Sequence, residues 1–442
     1  MHALLLLLAS TTAANAAPIF PYEMQQTTLD NGLRVVVVPT DARGMFSLYS
    51  VVGTGSRDEV EAGHSGFAHF FEHMMFRGTK KYSADQRVAL LTSLGVEENG
   101  FTTDDFTAYP LSGPKEALPK IIELEGDRYQ NLEYSDDAFK IESKAVLGEY
   151  NKNFSNPDQK AYEVLTDLAF DKHTYKHTTM GFLKDIENMP NEAAYSRAFF
   201  KKFYTPDNVI LYVVGDVDPA TVLAQVKASF GSWKGHRALT DVKDEPPLNK
   251  ERRKAVPWEN PTLERLHVAW RVPSGTRDTK AGALGLLLSG YLFSDSSALV
   301  KDLVIDEQLA EAVNNDYRIH KDASLFAVSS RIKRSSSSDA VLAKIQTALD
   351  DLASGKVDTA RFDAVRSNLR YSMLMGLTSA PAVGRTIAVA SGPFLDPKAL
   401  DLVLAAEAAA SPQDLVAYTK QWFGKDQRAV VTLASAAVGG AK

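Results

Sequence analysis

At 442 residues the chain is long enough to bury more than one core of ordinary domain size. Lys and Arg number 49 against 55 Asp and Glu, and a net charge of −6 gives no electrostatic footing for nucleic acid. Cysteine is absent, which excludes disulfides and thiolate ligands, so any metal site must use nitrogen and oxygen donors.

Residues 1–17 carry an apolar run from Ala3 to Ala9, then Ala14-Asn15-Ala16, an A-x-A-like cleavage site. The run is too short to span a bilayer. We expect a cleaved secretory signal and a periplasmic or secreted mature chain, with no later membrane span. A first lobe is expected over 22–233. Asp30-Asn31-Gly32 is a turn signal, followed by a strand from Leu33 to Val38 and a second from Phe46 to Val52. Gly53-Thr54-Gly55 lacks the third glycine of a dinucleotide fingerprint and runs into Arg57-Asp58-Glu59, which excludes that reading.

The stretch His69-Phe70-Phe71-Glu72-His73 reads His-x-x-Glu-His, the zinc-peptidase motif in reverse order. On a helix, His69 and His73 are i,i+4 neighbours, which brings two imidazoles to one ion. Glu72 points beside that ion, where it can hold and deprotonate a zinc-bound water as general base. Phe67, Phe70, Phe71, Met74 and Met75 would bury the helix. The bland alternative is a core helix with hydrogen-bonded histidines. A helix from about Ala84 to Leu94 follows, then Asn99 to Tyr109, which reads as an exposed strand or hairpin.

A catalytic zinc site needs a third protein ligand and an open fourth position. Ser135 is a suitable N-cap, with Asp136 and Asp137 in the first turn to suit the helix dipole. Phe139, Glu142, Val146 and Glu149 then share one face of that helix. Two carboxylates on an otherwise apolar face are costly unless something positive meets them. We therefore assign Glu149 as the third ligand and Glu142 to orienting ligands or water. His173 and His177 form a rival i,i+4 pair, but no acid lies between them and the residues there make a poor helix.

The first lobe is expected to close with a helix from Asn191 to Phe203 and an apolar strand from Val209 to Val214. Residues 234–260, with Pro246-Pro247, a charged run and Pro257, read as an interlobe linker. A second lobe over 261–442 repeats the order: strand Leu266 to Val272, helices near Lys280–Leu292 and Ser297–Val304, then strand Leu325 to Ile332. Ser335 to Ser338 reads as a helix cap and turn. Gln421 to Arg428 and the strand Ala429 to Leu433 align without a gap on Lys202 to Val209 and the strand after it, a weak internal duplication.

These motifs resemble the pitrilysin/insulinase family of inverted zinc peptidases, which includes mitochondrial processing peptidase and bacterial periplasmic members. The resemblance runs from Leu29 to about Asp216, and more faintly to the C-terminus. It implies an α+β fold of two homologous α/β lobes, each a mixed, mainly antiparallel sheet with helices packed on it, together forming a half-shell. It implies one Zn²⁺ per chain held by His69, His73 and Glu149, with Glu72 as base and Glu142 in support. It further implies that Asn99 binds substrate backbone, that Phe101 lines a side-chain pocket, and that the 99–109 stretch takes a peptide by strand addition. His173-Thr174-Tyr175 is similar to the family's His-x-Tyr loop. In the family the second lobe supplies an Arg and a Tyr that grip the scissile carbonyl. Here Val304 and Glu311 stand at those places.

Oxyanion stabilisation is worth about 10²–10³ in rate, so the departure matters. The expected function is a zinc metalloendopeptidase for short or unfolded peptides. It is the catalytic subunit of a heterodimer whose homologous partner carries the Arg/Tyr pair, a homodimer being the other arrangement. The alternative is a non-catalytic structural or binding subunit that keeps the fold.

Overall fold

The computed structural model describes residues 19–333 and 336–436. The expected signal, residues 1–17, lies outside them, as does Ser335. Asp30-Asn31-Gly32 turns as its residues dictate: Gly32 takes φ +91°, where a Cβ would also meet Asp207 Cβ at 3.0 Å. The turn joins β1 (Gln25–Thr28) to β2 (Arg34–Pro39), whose valines are buried on both faces. The sheet is completed by β3 (Met45–Val52), β4 (Glu97–Glu98), β5 (Phe101–Thr102), β6 (Thr107–Pro114) and β7 (Val209–Gly215). Its order is β1-β2-β7-β3-β6-β4, with β5 also paired to β6. Only β2 and β7 run parallel.

A second sheet contains β8 (Arg252–Trp258), β9 (Arg265–Val272), β10 (Ala310–Asp316), β11 (Ser324–Ile332) and β12 (Arg428–Ser435), in the order β10-β11-β9-β12-β8. Here too a single pair, β12 with β8, is parallel. Laid over the first sheet, β8, β12, β9 and β11 take the places of β2, β7, β3 and β6. The duplication is therefore one of topology, and β10 occupies the edge position of β4 and β5. The fold is α+β, two lobes of one architecture.

One expectation is corrected by that correspondence. Residues 234–251 carry neither helix nor strand, but β8 lies inside the stretch 234–260 read as linker. As an edge strand it hydrogen-bonds on one side only, which tolerates Pro257 and leaves Arg253, Lys254 and Ala255 exposed. Its charges hide the strand period that β2 displays.

The lobes also exchange helices. Helix Pro157–Ala169 lays Ala161, Leu165 and Ala169 against Ala269, Val431 and Leu433 of the second sheet. In return, helix Ala380–Ser391 lays Val383, Ile387 and Ala388 against Val36, Tyr49 and Val51 of the first. Each sheet is thus covered partly by the other half of the chain, and the two halves interlock. Ser337 caps helix Ser338–Ala353, as the serine run suggests. The stretch Thr279–Asp306 is long and apolar enough to cross a membrane by length and composition. Much of that apolarity is explained by packing: its helix Thr279–Phe293 buries Leu284, Leu287, Leu288 and Tyr291 in the second lobe's core.

Helix Ala399–Ala409 carries Glu407, buried without an ion-pair partner among the described residues. Burial alone pushes its carboxyl up to about 7 from 4.5. The folded state then disfavours the ionised form, so the penalty is absent below about pH 4.5, grows towards pH 7 and is constant above. Glu407→Gln is expected to stabilise the protein by about 2 kcal/mol at pH 8 and to leave it unchanged near pH 4, read from urea unfolding at both values.

Candidate metal centre and active site

The motif forms a helix, Phe67–Met74, with Phe67, Phe70, Phe71 and Met74 all buried. Gly66 caps it at φ +90°, a conformation glycine takes freely, and a Cβ there would lie 2.8 Å from Met180 O. Glycine has no side chain to satisfy the first N–H groups of the helix. The buried carboxylate of Glu59 does so instead, accepting from Gly66 N and Ala68 N, each at 2.7 Å. Burial raises the Glu59 carboxyl well above its usual range, with these two donors opposing the shift.

His69 and His73 lie one turn apart with ring centroids 4.8 Å from each other. Burial, reinforced by the neighbouring His73 and opposed by Glu149, lowers His69 from 6.5 to about 4. At neutral pH it is an uncharged imidazole with a lone pair to offer. Glu149 reaches the same point from helix Asp136–Phe154, which Ser135 caps by accepting from Ala138 N. Its Oε2 is 3.7 Å from His69 Nε2 and 3.5 Å from His73 Nε2. A tetrahedral site with bonds of about 2.05 Å has ligand–ligand edges of about 3.3 Å, so these separations fit one zinc ion with small adjustment. Among the described residues, this is the only trio of His, Asp or Glu side chains whose donor atoms converge in this way, within 4.8 Å.

Glu142, buried on the same helix, receives His73 Nδ1 at 2.8 Å on Oε1 and Arg77 on Oε2. The first contact places the proton on Nδ1 and frees Nε2 for a metal, while Arg77 meets the other carboxylate oxygen of Glu142. Glu72 is held differently: Thr102 donates its hydroxyl to Glu72 Oε2 at 2.7 Å. Burial raises the Glu72 carboxyl and the Thr102 hydrogen bond opposes this, a balance suited to a base.

These groups face a cavity of about 410 Å³ lined by His69, Glu72 and Glu149, by Phe101 and Thr102 of β5, and by Tyr162 of the exchanged helix. The second lobe closes one wall with Arg318, His320 and Leu325. A buried polar cluster rivets that wall in place. Asp322 takes Arg57 Nε at 2.5 Å and His173 Nε2 at 3.1 Å, while Asp105 accepts from Tyr175 and lies 3.1 Å from His320 Nδ1. The two rings of the rival histidine pair face different groups. His173 binds Asp322, and His177 Nε2 lies 3.7 Å from Glu59.

The structure thus gathers His69, His73, Glu149, Glu72, Glu142 and Phe101 at one site. Asn99 stands apart, exposed beside it, with its Oδ1 accepting from Gly100 N at 2.8 Å. Val304 packs partly buried on the second core, and Glu311 pairs with Arg331 at 3.5 Å, so neither reaches the cavity. Glu59, Arg77, Thr102 and the second-lobe wall escape a reading of the sequence. A glycine before a buried helix, which needs an outside acceptor, is the one signal that points to Glu59.

Comparison with known proteins agrees with this geometry. A model described as insulinase (peptidase family M16) matches residues 35–182, and one described as the peptidase M16 inactive domain matches 193–369. The zinc protease PqqE of Helicobacter pylori is 28% identical over 384 residues, covering 85% of each chain. The beta subunit of the mitochondrial-processing peptidase of Dictyostelium discoideum is 26% identical over 69% of this chain and 66% of its own. The crystal structure of a protease from Helicobacter pylori superposes with a TM-score of 0.87 at 27% identity, covering 93% of this chain and 99% of that one. With the His-x-x-Glu-His helix, the downstream glutamate and both lobes accounted for, this chain belongs to the insulinase family of peptidases, M16.

Proposed function

We propose that the chain is a zinc metalloendopeptidase acting on short or unfolded peptides, and that it is the zinc-bearing subunit of a heterodimer. The convergence of His69, His73 and Glu149 beside an independently held Glu72 carries this reading. His69, His73 and Glu149 would hold a zinc ion, which would supply Lewis acidity towards the scissile carbonyl and the attacking water. Glu72 takes the proton of that water and later delivers it to the leaving amine. Glu142 keeps His73 in the tautomer a metal requires. The short β5 presents an edge for an extended peptide, and Phe101 and Tyr162 give its side chains apolar surface. Asn99, beside that edge, is placed to meet substrate backbone. A cavity of about 410 Å³ takes a strand and a few side chains, which favours unstructured substrates.

The partner follows from Val304 and Glu311, which leave the developing oxyanion without the family's Arg/Tyr pair. A homologous chain carrying that pair would supply it. The apolar run and A-x-A site of residues 1–17 support a periplasmic or secreted location. The test is turnover of a mixed pool of unstructured peptides by the zinc-loaded chain, alone and with such a homologue. Weak turnover alone, raised about 10²–10³-fold by the partner and abolished by chelation, is the expected result. Full turnover by the chain alone would remove the obligate partner. Peptide binding without cleavage in both arrangements would leave a non-catalytic binding subunit.

A further inference from the structure

Resting on the peptidase reading, we propose that Thr102 is the positioning residue for Glu72, and that through it the substrate-binding edge aligns the base. A carboxylate free to rotate presents either oxygen to water. Here Glu72 Oε2 is tied to Thr102 Oγ1 at 2.7 Å, which leaves Oε1 as the oxygen that takes the proton. The Thr102 hydroxyl is itself oriented. A carboxylate oxygen can only accept, so the Thr102 hydrogen points to Glu72 at 2.7 Å, closer than Thr107 Oγ1 at 3.4 Å, whose own hydrogen goes to Thr54 O at 3.0 Å. The backbone closes in from the side: a Cβ on Gly100 would sit 2.8 Å from Glu72 Cγ and 3.3 Å from Oε1. Glycine at that position lets the strand lie directly against the base.

Thr102 and Phe101 make up β5, which spends one edge on β6 through the pairs Phe101↔Ala108 and Thr102↔Thr107. A peptide added to the open edge would lie along the same two-residue strand whose hydroxyl holds Glu72. A hydrogen bond to a charged group is worth about 1.5–3 kcal/mol, a factor of roughly 10–150 in rate if it is needed only to align the base.

Thr102→Val keeps the branched shape and strand preference while removing the donor. In whichever assembly turns peptide over, kcat is expected to fall 10- to 100-fold with KM changed less than threefold, and Thr102→Ser to restore most of the loss. A purely structural role for β5 would instead raise KM and would not be rescued selectively by serine. A second readout needs no turnover: crystal structures of the zinc-loaded parent and Thr102→Val chains. One Glu72 rotamer is expected in the parent and several in the variant. Unchanged kcat, or a single identical Glu72 rotamer in both crystals, overturns the proposal. If the parent cleaves nothing with or without its partner, the peptidase reading fails, and the crystals still decide whether Thr102 positions Glu72.

Discussion

Glu72→Gln is expected to lower kcat by about 10³-fold or more while zinc content and peptide KM stay within a factor of two or three of the parent. The side chains are nearly the same shape, and a glutamine carbonyl oxygen can still accept from Thr102, so the helix and β5 are undisturbed. What is lost is the ability to take a proton. The amide has no basic site near neutral pH, so the water must attack without general-base help and the amine must leave without the returned proton. In the proposed mechanism both halves of the reaction pass through this one carboxylate, which places the expected effect at the high end for a single acid–base residue. Steady-state kinetics on a defined cleavable peptide, with zinc measured by elemental analysis, checks it. Activity within tenfold of the parent would move the base elsewhere, and Glu149, which lines the cavity beside the imidazoles, would be the first carboxylate to test.

The parts of this site legible in the sequence are those set by spacing within a single helix. His69 and His73 share a face because they are four residues apart, and Glu142 and Glu149 do so because they are seven apart. What brings the two helices together is packing of Phe70 on Phe139, with ring centroids 5.0 Å apart, and no periodicity announces such a contact. The same limit hid Thr102 and Glu59, which act on the motif helix from other elements. In the fold, β2 and β3 were legible because buried strands read as apolar runs. β8 and β10 were not: as edge strands they carry charged and polar residues on exposed faces, and resemble loops in composition. The helix exchange is illegible for a deeper reason. Helix Pro157–Ala169 has an apolar stripe that would fit either sheet, and only the three-dimensional arrangement selects the second.

Metal affinity separates a ligand from its support. In the proposed site Glu149→Ala removes one of three protein ligands, and two imidazoles alone would hold zinc poorly. Glu142→Ala leaves all three ligands and removes what orients His73, a loss of about 10- to 100-fold for a group in that role. The expected order of zinc dissociation constants is therefore parent, then Glu142→Ala, then Glu149→Ala, the last exceeding the parent by more than about 100-fold. Competition with a chelator of known affinity at pH 7.5 measures it. That pH sits well above the value of about 4 to which burial lowers His69, so the imidazole carries no proton that metal must displace. Release of Arg77 in the Glu142 variant is a further cost, since its guanidinium loses its carboxylate partner close to a cation site. If both variants lost zinc equally, Glu142 would be holding the metal itself. If neither did, the convergence of His69, His73 and Glu149 would not be the metal centre.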